Sequence, residues 1–262
     1  MRKGALVLSA VALFCMIGPF TASWGSDLQE SEPIEIRGDY EFTEENGVVG
    51  GSGTPDDPYV IEGLKIDAGY SDYGIRIERT NRNFVIRNVE VSGAAKTGIF
   101  LSYVRNGLVE NCELAGNWIG ITLSFSSGNR ISGCTLMSNT DGLHLYFSKD
   151  NQVLSNTVER NDYGIWCDAS NTNEFIGNTV SSNHMGVYMA IGSEGNLLHH
   201  NIFLDNLHNA HTDTVNQWDY DGMGNYWYDY DGIDANEDGI GDSPYVISSD
   251  SDEDSFPLLS AP

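Results

Sequence analysis

A single spacing runs through the middle of this chain. Gly74, Gly98, Gly120, Gly142, Gly164 and Gly186 follow one another at an interval of 24 residues and then four intervals of 22. From Gly98 onward each opens an alternating apolar segment: Gly-Ile-Phe-Leu, Gly-Ile-Thr-Leu, Gly-Leu-His-Leu, Gly-Ile-Trp-Cys and Gly-Val-Tyr-Met. A fixed period in the twenties means one supersecondary unit stacked on copies of itself, each covering an apolar face its neighbour cannot bury alone.

Two further columns share the period. Asn117, Asn139, Asn161, Asn183 and Asn206 each lie three residues before the glycine position, which Asn209 takes in the last unit. Asn and Gly tolerate positive φ, so Asn-x-x-Gly reads as a recurrent corner. Asn88, Cys112, Cys134, Asn156, Asn178 and Asn201 form the other column. Amides one rung apart can bond along a stack, and the thiols fill the same slot as small apolar groups. Between corners the runs are short, β-branched and of period two, which is strand patterning. Ile99/Leu101, Ile121/Leu123, Leu143/Leu145, Ile165/Cys167 and Val187/Met189 are the expected inward pairs. The fold predicted is all-β: a right-handed parallel β-helix of about 22-residue coils, capped at both ends.

The ends carry a family resemblance. Residues 50–63, GGSGTPDDPYVIEG, resemble the entry motif of NosD-like β-helix proteins, a group often found among archaeal surface proteins. Residues 224–245, GNYWYDYDGIDANEDGIGDSPY, resemble that group's closing motif more closely still. The resemblance runs from about residue 35 to the end. It implies a right-handed helix of the carbohydrate-binding and sugar-hydrolase type, without implying one activity.

The start reads as an export signal over residues 1–25: Arg2 and Lys3, an apolar run from Ala5 to Phe20, then small residues to Ser26. Cleavage between Ala22 and Ser26 is expected over an uncleaved anchor, because the run is short for a full span. Phe14 before Cys15 makes a poor lipoprotein box. The remainder divides into a linker (26–35), an N-terminal cap (36–70), the repeats (71–209) and a C-terminal cap (210–262). Export places the protein outside the cytoplasm, secreted, cell-surface or periplasmic. Net charge is −25, and beyond Arg160 there is no Lys or Arg but 18 Asp and Glu. That excludes nucleic acid and anionic membranes as natural partners. Three cysteines outside the signal, Cys112, Cys134 and Cys167, argue against a disulfide framework.

Four sites are candidates. Asp234, Asn236, Asp238, Gly239 and Asp242 match positions 1, 3, 5, 6 and 9 of an EF-hand loop, with the Ile240 carbonyl at position 7. Tyr245 replaces the closing glutamate, and no helices flank the loop, so a freestanding Ca²⁺ loop is set against a solvated turn. The outward column after each glycine gives Phe100, His144, Trp166 and Tyr188, with Tyr146 and Asp168 two positions on. Such a stripe suits stacking on the rings of a polysaccharide or cell-surface glycan, unless the aromatic tail Trp218 to Tyr230 folds over it. Catalysis is the third. Asn139-Thr-Asp-Gly is similar to a polygalacturonase segment, but that family's paired-Asp and Gly-His-Gly motifs are absent, and Asn139 and Gly142 are repeat columns. A lyase or epimerase also needs a charge neutraliser, and only Arg76 shares the face. The last is copper, which the NosD resemblance implies: His184, Met185, Met189, His199, His200, His208 and His211 gather near the final coils. His199 and His200, as strand neighbours, are expected on opposite sides. The leading expectation is non-catalytic glycan binding. The alternatives are a copper-handling accessory protein and a polysaccharide lyase, epimerase or hydrolase.

Overall fold

The computed structural model describes residues 28–247 and 252–262. The expected signal segment lies outside the described residues. Three parallel sheets of nine, eight and seven strands run side by side, and each coil gives one strand to each sheet. Pairing begins at Gln29–Ser31 and Ile34–Arg37 and advances by 22 to 24 residues over most of the stack, with Thr122 between Phe100 and His144 and Glu113 between Glu90 and Thr135. The chain is thus a right-handed parallel β-helix. Its core is a set of columns: Ile99, Ile121, Leu143, Ile165 and Val187 along the second sheet, Val91, Leu114, Leu136, Val158 and Val180 along the first, all buried.

The columns of polar residues do different work from that expected. None of Gly98, Gly120, Gly142, Gly164 and Gly186 has positive φ; the left-handed corner residue is the one before each asparagine, as in Gly116 (φ 68), Ser138 (φ 56), Arg160 (φ 56) and Ser182 (φ 55). The glycines are required because rungs approach closely there. A Cβ on Gly142 would lie 2.7 Å from the Gly164 carbonyl oxygen and 3.0 Å from Asn161 Nδ2. The asparagines, buried behind the corner, form a ladder. Asn139 N donates to Asn161 Oδ1 (2.9 Å), while Asn161 Nδ2 donates to Leu136 O (3.1 Å) and Asn183 Oδ1 (3.0 Å). Each side chain thereby satisfies main chain that the turn would strand.

The second expected column holds with one correction. Asn156, Asn178 and Asn201 form a ladder continued by Asn225, and Cys134 N donates to Asn156 Oδ1. Asn88 does not belong to it: with φ 52 it occupies the left-handed position shared by Asn111, and Val89 precedes the strand as Cys112 does one coil later. Cys112, Cys134 and Cys167 are free and buried. Two ladders were not anticipated: Asn129, Asn151, Asn173, Asn196 and Asn216, and beside them Ser126, Ser148, Ser170 and Ser193.

The aromatic tail seals the end of the core. Trp227 stacks between Phe203 and Tyr245, each at 4.2 Å, and Trp218 is fully buried beside it. Two buried carboxylates finish the ladders: Asp252 accepts from Asn216 N (2.8 Å) and Trp218 Nε1 (3.0 Å), Asp254 from Asn225 N (2.7 Å) and Trp227 Nε1 (2.8 Å). A carboxylate accepts without donating, so it suits a last rung with no amide beyond it.

Candidate functional site

The outer face of the second sheet carries the expected stripe, in three columns. Arg76, Phe100, Thr122, His144, Trp166, Tyr188 and His211 stand in register. Glu78, Ser102, Ser124, Tyr146 and Asp168 flank them on one side, Tyr73, Thr97, Ile119, Asp141, Tyr163 and Met185 on the other. The rings pack on one another at rung spacing. His144 stacks on Trp166 (5.0 Å, 16°), Tyr163 and Tyr188 pack on Trp166 at 5.0 and 6.1 Å, and His211 continues the row at 5.3 Å from Tyr188. The tail does not join this face; its two tryptophans are in the core.

The stripe is interrupted on the rung of Thr122 and Ser124. These short side chains form the floor of a cleft of about 340 Å³ bounded by Tyr73, Lys96, Phe100, Trp118, His144 and Tyr146. Trp118, 59% exposed, is a rim residue the alternation did not mark, because it precedes the strand. Beyond Ser124 and Tyr146, outside the cleft's lining, runs a ridge of three stacked rings, Tyr103, Phe125 and Phe147, at 4.9 Å and 5.2 Å with interplanar angles of 4° and 13°. All three have left-handed backbone (φ 54, 47 and 47) and are about half exposed. Bulky residues seldom adopt that conformation; here it turns each ring out of the sheet onto the ring of the next coil. Tyr146 meets Phe147 edge-on at 4.7 Å, so face and ridge are continuous. The 22-residue spacing of 103, 125 and 147 was the available signal.

Charge on this face is mostly acidic. Asp141 is buried, and that burial, with Asp162 nearby, pushes its carboxyl up to about 6. Burial pushes the His144 imidazole down despite Asp168, so it stands on the face as a neutral ring. His144 Nε2 and Trp166 Nε1 are covered and have no hydrogen-bond partner. Tyr188 OH donates to Asp213 Oδ2 (2.9 Å), which raises its phenol. Both cations here are neutralised: Arg76 by Glu35 (2.9 Å) and Glu78 (2.8 Å), Lys96 by Asp72 (2.7 Å). Asn139 belongs to a ladder and Gly142 to a close rung contact, which accounts for their presence without catalysis.

The loop over Asp234 to Asp242 is folded on its own amides. Asp234 accepts from Asp238 N (3.1 Å) and Gly239 N (2.9 Å), Asp238 from Ile240 N (2.9 Å), and Asp242 from Ala235 N (2.8 Å). Asn236 Nδ2 donates to Asp238 Oδ2 (2.9 Å). The donor types suit a hard cation, but among the described residues no three His, Cys, Asp or Glu groups converge as a metal centre.

The histidines divide into separate places. Met189 is fully buried in the core, away from any imidazole on the outside. His184 and His208 meet edge-on at 5.9 Å. His199 and His200, expected on opposite sides, are on one side with Nδ1 atoms 2.6 Å apart. The reason is the left-handed backbone of His200 (φ 57), which breaks the strand's alternation. Burial and the His200 ring both push the His199 imidazole down.

Comparison with known proteins agrees with this architecture. The family profile described as periplasmic copper-binding protein (NosD) matches residues 25–232. A 60-residue stretch is 40% identical to a probable ABC transporter binding protein NosD of Stutzerimonas stutzeri and 38% identical to one of Pseudomonas aeruginosa. Each match covers 22% of this chain and 14% of the relative, so the chain aligns with a small part of either. Among solved structures, a periplasmic alginate epimerase superposes with a TM-score of 0.55 at 21% identity, over 59% of this chain and 38% of its own. A pectate lyase does so with 0.51 at 13% identity, over 75% and 64%. At these identities the likeness is one of fold.

Proposed function

The chain belongs to the NosD family, and from that membership and the face described above we propose that it is an exported protein that binds a polysaccharide or cell-surface glycan without converting it. The carrying observation is the row of His144, Trp166, Tyr163 and Tyr188 beside a cleft rimmed by Trp118, continuous with an exposed aromatic ridge. Rings repeated at rung spacing offer an extended sugar chain several stacking contacts, and the cleft between Trp118 and Tyr146 orients it. That an alginate epimerase and a pectate lyase share the fold supports a polysaccharide partner. Elimination or epimerisation of a uronate chain forms a carbanion next to its carboxylate that a cation must offset, and the side-chain cations of the face and cleft, Arg76 and Lys96, are both ion-paired.

Affinity electrophoresis through gels containing individual polysaccharides tests this. Trp166→Ala and Trp118→Ala are each expected to weaken retardation about tenfold, the loss of one ring contact. Retardation unchanged in both variants would sink the proposal.

A second reading has one observation in its favour. The Nδ1 atoms of His199 and His200 lie together, and neutral imidazoles are copper ligands. Two donors alone do not complete a site. Under this reading His200→Ala abolishes copper retention in dialysis, and wild type that retains none disposes of it.

A further inference from the structure

The charge inventory of the aromatic face carries one step further, resting on the glycan reading above: which class of sugar the face accepts. The three outward columns hold Glu78, Asp141 and Asp168, and Asp162 and Asp213 stand at their edge. The cations of the face and cleft are Arg76 and Lys96, and each is engaged; exposed Arg79 stands outside them, at the head of the ridge column one coil before Tyr103. Arg76 divides its guanidinium between Glu35 and Glu78 while lying over the Tyr73 ring at 4.9 Å. Lys96 is held 2.7 Å from Asp72. Beyond Arg160 the chain supplies no Lys or Arg at all. His144 is kept neutral by burial.

We infer that this face selects uncharged sugar chains and rejects polyuronates. A polyuronate places one carboxylate on every residue, so a chain along the face would bring several against Asp168 and Glu78 with no free cation in the three outward columns to offset them. Like charges at contact separation repel by about 1 kcal/mol even in water, and more where the wall excludes it. A neutral pyranose meets the same residues differently. Its hydroxyls donate to carboxylate oxygens, charge-assisted hydrogen bonds that need no counter-ion, while its C–H face covers the Trp166 and Trp118 rings. The inference thus separates this protein from its fold neighbours, an alginate epimerase and a pectate lyase, on the charge of the sugar rather than on the fold.

The experiment is calorimetric titration of the full-length protein with matched hexasaccharides at pH 8, above the usual histidine range. The probes are cello-, manno- and xylohexaose, hexamannuronate and hexagalacturonate, at 20 mM and 500 mM NaCl. At least one neutral hexamer is expected to bind with a Kd unchanged between the two salts. Both uronates should bind about tenfold or more weakly at low salt and gain affinity at high salt, as screening predicts. Asp168→Asn, on the surface and checked for fold by circular dichroism, should improve uronate binding severalfold. A uronate hexamer binding as tightly as the best neutral one at low salt overturns the selectivity and leaves the binding face intact. No binding by any probe, with the fold intact, refutes the glycan reading and this inference together.

Discussion

Replacing Asn161 by alanine removes one rung of the first asparagine ladder. Four hydrogen bonds are lost. Asn161 Oδ1 accepts from Asn139 N (2.9 Å) and Asn139 Nδ2 (3.3 Å), and Asn161 Nδ2 donates to Leu136 O (3.1 Å) and Asn183 Oδ1 (3.0 Å). Asn139 Nδ2 keeps Leu114 O (3.0 Å), and Asn183 Oδ1 keeps Asn161 N (2.9 Å). The Asn139 backbone amide, in contrast, loses its acceptor at a site where Asn139 is 5% exposed. Stranding one buried donor costs about 1–3 kcal/mol, and each further bond contributes roughly 0.5–1.5 net. A destabilisation of about 3 kcal/mol is expected. Urea unfolding should show it as a lower midpoint with an unchanged slope. Stacked repeats can lose all-or-none behaviour, so hydrogen exchange of the Asn139 amide is the local readout, and its protection should fall. A loss below about 0.5 kcal/mol with Asn139 protection unchanged would refute the ladder as a source of stability. The reverse substitution tests the same physics. Cys134 Sγ faces Val109 O (3.7 Å) as Asn156 Nδ2 faces Ile131 O (3.1 Å), so Cys134→Asn should extend a ladder and stabilise by about 1 kcal/mol.

Gly142→Ala should destabilise by about 2–3 kcal/mol, because its Cβ meets a backbone oxygen of the next coil. Gly116→Ala, at φ 68 with open space around it, should cost only about 1 kcal/mol, and urea midpoints that rank the two in reverse would contradict the close-approach explanation. Asp141 titrates about two units above its ordinary value, so between pH 4 and 6 the folded chain binds more protons than the unfolded one and this group's contribution falls as pH rises. Asp141→Asn should therefore be more stable than wild type at pH 7, by up to about 3 kcal/mol, with the advantage shrinking toward pH 4; equal urea midpoints at pH 7 would count against it. For the Asp234 to Asp242 loop, millimolar Ca²⁺ should raise Tm in wild type and not in Asp234→Ala, since a cation relieves the repulsion of alternate carboxylates. An unchanged wild-type Tm would leave the loop as an amide-held turn.

The period determined the coil, the parallel stacking and the inward columns, because in a solenoid a residue touches its own equivalent one repeat away and spacing in sequence is contact in space. Ile121, Leu143 and Ile165 were legible for that reason. So were Phe100, His144, Trp166 and Tyr188 as outward residues of one stripe. The ladder of Asn129, Asn151 and Asn173 and the ridge of Tyr103, Phe125 and Phe147 had the same spacing and were equally open to reading. Their role was not, since it depends on a left-handed residue that turns a side chain off the alternating pattern. The same device put His199 and His200 on one side. It also hid the reason for the glycines, which is the distance between neighbouring backbones rather than a dihedral angle. Only the tertiary structure decided what does not repeat. It set Trp118 over the short side chains of Thr122 and Ser124 to make a cleft, and brought Asp252 and Asp254 back to end the ladders. Those contacts join residues that are not equivalents of one another, so no period announces them; they follow from side-chain size, rotamer and the path of the closing segment.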